Sequence, residues 1–261
     1  MVGQSLGLEN LLLQNMSKTL LAIISSPQDN ELVARHWPFM RLTGWDILGC
    51  GTQGRGCVWP DEIQRIDTGV IGKKQNAAGS VIHGLIGVEL DIWAWFLERH
   101  EYTDVAVVEA DNLFVRKPPD HPCNGLYLVT CLPNYSKEFQ TPVYFSSPRW
   151  ADRQTAQQLH AYGRKMFKNK DTEHDVSDRF PALICHRHKI PWINQPAWSP
   201  SAFAWQAKDW QAAWVRDARA AIKIGCYCLH SVKFSWQLEA LRDLLPIQPA
   251  VYWKDITPCP A

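Results

Sequence analysis

Val105-Ala106-Val107-Val108-Glu109-Ala110-Asp111-Asn112-Leu113-Phe114-Val115 is an apolar run that stops abruptly on two carboxylates. A short valine-rich run reads as a strand buried on both faces, as in a parallel sheet covered by helices. Glu109 and Asp111 then fall at the C-terminal end of that strand. Open α/β sheets bind ligands there, because the loops beyond the strand ends form a crevice. Once the strand has ended, the backbone is free to aim both acids at one ligand, and a hard divalent cation bridging phosphate oxygens suits such a pair.

The rest of the chain bounds that reading. With 261 residues, 46% of them hydrophobic and 20% charged, it has the composition of a globular protein with a sizeable core. Its net charge of +1 supplies no global field toward nucleic acid or membrane, so any such partner needs a local patch. No basic and apolar leader marks a secretory signal, and no apolar run is long enough to span a bilayer. A soluble cytoplasmic protein is the expectation, in the host cytoplasm if the source is viral. The eight cysteines form no C-x-x-C pair and read as reduced thiols.

In chain order, Thr19 to Ser25 is the first buried strand, stopped by Pro27. Asp29 or Asn30 can cap a helix through Met40, closed by Gly44, and Trp45 to Cys50 is a second strand. This β-α-β start builds a parallel sheet. The loop from Gly49 to Gly56 has glycines enough to cradle a phosphate but lacks the lysine and hydroxyl of a P-loop; it reads as a flexible loop in which Arg55 can reach an anion. Gly72-Lys73-Lys74-Gln75-Asn76 opens a long helix running through Phe96 to His100, with Lys73 at a start suited to phosphate or sugar hydroxyls. The Val105 strand follows. Leu126 to Leu132 and Thr141 to Ser146 read as strands, and Pro148-Arg149-Trp150 as the entry to a helix. Arg179 to His188, Asp209 to Ile222 and Ser235 to Leu245 read as helices, and Gly225 to Leu229 as extended. One α/β domain is expected, a mostly parallel central sheet with helices on both faces.

Taken together, these features resemble the GT-A fold glycosyltransferases, where an Asp-x-Asp motif at a strand end holds manganese or magnesium against the diphosphate of a nucleotide sugar. The motif here is Glu109-Ala110-Asp111, with glutamate in first place. Late in the chain, Cys228-Leu229-His230-Ser231-Val232-Lys233 resembles the segment that supplies a histidine metal ligand and a basic diphosphate contact. The resemblance implies Asp111 and His230 as ligands of Mn2+ or Mg2+, Lys233 as the contact to the diphosphate, and Glu109 as a donor-site residue that orients the ribose or a water on the metal. It also implies Ser25 and Ser26 near the nucleoside of a UDP-sugar. A carboxylate that takes the acceptor's proton would be Asp178, with Glu173 and Asp175 close behind. Residues 1–117 would bind the donor and 118–261 the acceptor.

Other readings stand beside this one. Glu109 and Asp111 can be a turn pair, and His230 a satisfied core histidine. Cys185, His186 and His188 together with Cys226 and Cys228 offer ligands for a structural zinc, although their spacings match no known knuckle. Basic and aromatic residues alternate from Tyr162 to Lys170 and from Arg179 to Trp192, which suits a nucleic-acid backbone with a stacked or flipped base. Small GT-A-like enzymes that sugar a hydroxymethylated pyrimidine in viral DNA need such a surface, so the resemblance implies that base as the leading acceptor expectation. A carbohydrate or small-molecule acceptor, and a non-catalytic nucleic-acid-binding protein, are the alternatives.

Overall fold

A computed structural model describes residues 18–51, 57–60, 63–67, 82–119, 125–130, 144–168, 180–194 and 209–247. Strand β1 (Lys18–Ser25) leads through a 3-10 turn into α1 (Asn30–Met40), and β2 (Asp46–Gly51) and β3 (Gln64–Asp67) follow. Helix α2 (Ile82–Leu97) precedes β4 (Tyr102–Glu109), and β5 (Leu113–Phe114) comes directly after the acids. The second half supplies β6 (Leu126–Thr130), β7 (Tyr144–Asp152), α3 (Arg153–Lys168), α4 (Phe180–His188) and β8 (Trp192–Asn194). It ends with α5 (Trp210–Lys223), β9 (Cys228–Leu229) and α6 (Ser235–Leu241).

Seven strands form one sheet in the order β3-β2-β1-β4-β7-β6-β8. Only β7 runs against its neighbours; the pairs β1/β2, β1/β4, β2/β3 and β6/β8 are parallel. The protein is thus α/β with a mostly parallel sheet to which both halves of the chain contribute. A separate two-stranded sheet pairs β5 with β9.

The expectation of strands buried on both faces is met residue by residue. Leu20, Ala22, Ile24, Val105 and Val107 pack in one core with Ile86, Trp93 and Phe96 of α2, Leu159 of α3 and Ile184 of α4. The alternate residues Leu21, Ile23, Ala106 and Val108 pack in a second core with Leu32, Val33 and Met40 of α1. Period-two alternation therefore feeds two apolar layers, and each fully buried aliphatic side chain contributes about 1.5–3 kcal/mol. A third cluster joins Leu113, Leu229 and Val232 to Trp214 of α5 and Leu238 and Leu241 of α6.

Two stretches differ from the sequence reading. Pro148-Arg149-Trp150 does not enter a helix but lies inside β7, because Trp150 pairs with Ala106 on one side and Tyr127 on the other. The helix start falls after it, where Asp152 Oδ1 accepts the Thr155 N–H at 2.7 Å. Strand β3, with a single apolar residue, Ile66, among its four, was not anticipated at all. Among the described residues no helix is long and apolar enough to cross a membrane.

Candidate functional site

The acids sit where the Val105 run predicted. After Glu109 the chain keeps one more ladder contact, Ala110 N–H to the Ile24 carbonyl of β1 at 2.9 Å, and then turns, with Asn112 N–H on the Glu109 carbonyl at 3.0 Å. Asn112 is fully buried and holds this turn. Its Nδ2 donates to the Glu109 carbonyl at 3.2 Å and to Asp111 Oδ1 at 3.4 Å. Its Oδ1 accepts the Cys228 thiol at 3.4 Å. On the other side His36 of α1 bonds the Ala110 carbonyl through Nδ1 at 3.0 Å. A carbonyl only accepts, so Nδ1 carries the proton.

The late segment arrives through the small sheet. Val115 N–H bonds the Tyr227 carbonyl at 2.9 Å, β5 pairs with β9, and Val232 N–H bonds the Asp111 carbonyl at 2.9 Å. His230 and Lys233 are thereby delivered to the acids. His230 Nε2 stands 3.5 Å from Asp111 Oδ1 and 3.7 Å from Glu109 Oε2, and Lys233 Nζ is 3.4 Å from Asp111 Oδ2. One ligand atom from each of Glu109, Asp111 and His230 falls within 4.8 Å of the others.

Burial controls the charges. It raises the Asp111 carboxyl above its usual range, as does the charge of Glu109, while His230 and Lys233 pull it back. Burial alone would lower His230, but the close approach of Glu109 and the charges of both acids outweigh this, and it titrates above its ordinary value. Two carboxylates around one imidazole favour a cation between them. Imidazole with carboxylate oxygens is a donor set suited to a first-row divalent ion, and distances of 3.5–3.7 Å let the three groups face one ion without rebuilding the backbone.

Beside them lies a cleft of about 220 Å3 lined by Ile24, Ser25, Ser26, Asp29, Glu109, Ala110, Asp111 and Lys233. Ser25 and Ser26 therefore do reach the site. The Ser26 N–H and hydroxyl both bond Asp29 Oδ2, at 3.0 and 2.6 Å. The sequence marked Asp29 only as a helix cap; its place in the cleft wall follows from the turn at Pro27, which has no other local signal. Three carboxylates against one lysine leave the cleft negative, a field that an added cation balances. A larger apolar groove of about 550 Å3 runs along α1 past Val33, Trp37 and Trp59, but neither carboxylate nor imidazole lines it.

Arg55, Lys73, Glu173, Asp175 and Asp178 lie outside the described residues. The zinc alternative does not assemble. Cys185, Cys228 and Cys226 belong to three different cores, and among the described residues only Glu109, Asp111 and His230 form a metal-competent group. Burial pushes the Cys185 and Cys226 thiols up to about 12 and Cys228 well above the usual thiol range, so all three are neutral packing groups. The ring of Tyr162 stacks on His188 at 3.6 Å. This pair lies toward the edge where strands begin, since Trp192 is level, through Leu126 and Ala151, with Val105 early in β4.

Compared with known families and curated proteins, the chain matches no family model and no curated sequence. What fold and site define is a class: an α/β protein that presents two carboxylates, an imidazole and an ammonium group at the C-terminal ends of a mostly parallel sheet.

Proposed function

We propose that the protein is a metal-dependent glycosyltransferase of GT-A type that moves a sugar from a nucleotide diphosphate, a UDP-sugar in the leading version, to a hydroxyl acceptor. The observation that carries the reading is the convergence of Glu109-Ala110-Asp111 with His230 and Lys233 beside a cleft at the end of β4. Breaking a sugar-phosphate bond leaves negative charge on the departing diphosphate, and Mn2+ or Mg2+ bound there would stabilise it electrostatically. Asp111 and His230 would hold the ion, with Glu109 completing the protein's share or orienting a water on it. Lys233, half-exposed on its side chain and paired with Asp111, would contact the same oxygens. A cleft of about 220 Å3 is smaller than the roughly 300–1,000 Å3 of whole small-molecule sites. It suits part of the donor, with the diphosphate and its ion at the Glu109, Asp111 and Lys233 end and the nucleoside entering past Ser25, Ser26 and Asp29 from outside.

For the acceptor, a hydroxymethylated pyrimidine in DNA is the reading that the exposed Arg164, Lys165, Arg187 and Lys189 around the Tyr162–His188 stack support. Their place toward the edge where the strands begin means that DNA would have to reach from there to the cleft at the other end of the strands. The proposed general base is Asp178. A cytoplasmic site of action belongs to the same reading.

The test is Asp111→Asn, which keeps the shape and removes the charge. Turnover of UDP-sugars with Mn2+, followed as UDP release, should fall by about 100-fold or more, as when a charge-stabilising group is removed. A non-catalytic nucleic-acid binder would show no turnover in the parent and unchanged DNA affinity in the variant.

A further inference from the structure

Gln237 is a long amide with no exposed surface, in the first turn of α6, and its side chain makes three hydrogen bonds backwards along the chain. Its Oε1 accepts two backbone N–H groups, Lys233 at 2.7 Å and Phe234 at 2.9 Å. Its Nε2 donates to the Ser231 carbonyl at 3.0 Å. A glutamine at this place in a helix often takes the N–H of the residue before the helix, which accounts for the Phe234 bond alone. The other two bonds reach into the loop that carries His230 and Lys233.

That loop needs holding. Ser231 stands at φ 64, a left-handed conformation that a residue with a side chain adopts only when its surroundings impose it. Its neighbour Val232 is tied to the Asp111 carbonyl by a single N–H bond. Gln237 grips the chain on both sides of Val232, so the loop is fixed at Ser231, Val232 and Lys233 in succession.

We propose that Gln237 is a positioning residue for the metal site: by imposing the left-handed turn at Ser231 it aims the His230 imidazole and the Lys233 ammonium at Asp111. This rests on the reading of Glu109, Asp111 and His230 as a divalent-cation site. With the clamp gone, Ser231 relaxes to negative φ, and the backbone rotation carries His230 off the acids. Partners of ligating side chains set metal affinity in this way, by fixing the geometry before the ion arrives.

The experiment is Mn2+ titration of the whole chain, following the electron paramagnetic resonance signal of the free ion, with a thermal melt of each protein alongside. Gln237→Met keeps the length and removes all three bonds. Gln237→Glu keeps an acceptor for Lys233 and Phe234 but loses the donor to Ser231. Leu238→Val is the control for packing alone, because Leu238 is fully buried in the same helix and shares a core cluster with Val232 of the loop, but its side chain forms no hydrogen bond to the loop. The expected order of Mn2+ affinity is parent, Gln237→Glu, Gln237→Met, with the last weaker by about tenfold or more. Leu238→Val should lower the melting temperature and leave the Mn2+ affinity as in the parent. A folded Gln237→Met with parental affinity overturns the proposal, and so does Leu238→Val if it weakens Mn2+ equally. Should Gln237→Met fail to fold, parental affinity in Gln237→Glu overturns it. A parent that leaves the free-ion signal unchanged overturns the metal site itself, a result distinct from either.

Discussion

His36 is kept uncharged by the fold. Burial, with the nearby charge of Arg35 adding to it, lowers its pKa from 6.5 to about 3, although the bond to Ala110 works the other way. The unfolded chain takes up this proton below pH 6.5, whereas the folded chain does so only near 3. Between those values the unfolded state binds more protons, so stability rises with pH. His36 thus makes its full contribution above 6.5 and loses it progressively as the pH falls toward 3. The slope well inside that window is about 1.4 kcal/mol per pH unit. His36→Asn retains a side-chain N–H for the Ala110 carbonyl and does not titrate. Urea unfolding of both proteins at pH 7 and at pH 4.5 should show the parent losing about 2–3 kcal/mol more than the variant. Equal losses would assign the acid sensitivity to other groups.

At the scale of elements, α2 is fastened to β7 by a salt bridge between Glu89 and Arg149, whose side chains are 0% and 4% exposed. Two charges in an apolar layer are costly to bury, and their value lies in not leaving one of them alone. Arg149→Met should therefore cost about 3–5 kcal/mol in unfolding free energy, and Glu89→Leu combined with it should recover most of that loss. A double variant as unstable as the single one would show that the pair itself holds the helix on the sheet. This pair also shows what a sequence conceals. Strands β1 and β4 are legible as unbroken apolar runs of strand length, and helices α1 and α2 because their apolar residues recur at helical spacing. Strand β7 is not, because Pro148 and Arg149 read as a helix entry until the pairing of Trp150 with Ala106 is known. The same division runs through the site. Glu109 and Asp111 are legible from the strand that stops before them, and His230 and Lys233 from a local pattern. Gln237, Asn112, His36 and Asp29 work through backbone groups of a turn or of a distant segment, and no spacing in the sequence announces them.

For the whole molecule, the sheet order sets four parallel strands of residues 18–109 beside three strands of residues 126–194, and β9 then returns to β5. The site draws on both stretches of the chain: Glu109 and Asp111 come from the first, His230 and Lys233 from the second. A ligand that bridges them ties early chain to late chain, so it should stabilise the folded state as a whole. If one ion joins the protein to a diphosphate, Mn2+ and UDP must each strengthen the binding of the other, because the same ion makes both sets of bonds. Each alone should give a small rise in melting temperature and the two together more than the sum. At a ligand concentration 100 times the dissociation constant the gain is about 2.7 kcal/mol, or about 5–10 °C for a chain of this size. UMP, which lacks the second phosphate, should lose most of the joint effect, and Asp111→Asn should reduce the pair to the effect of UDP alone. Strictly additive shifts from Mn2+ and UDP would mean that the ion and the diphosphate occupy separate places, and a bridging role for the Glu109-Ala110-Asp111 turn would be excluded.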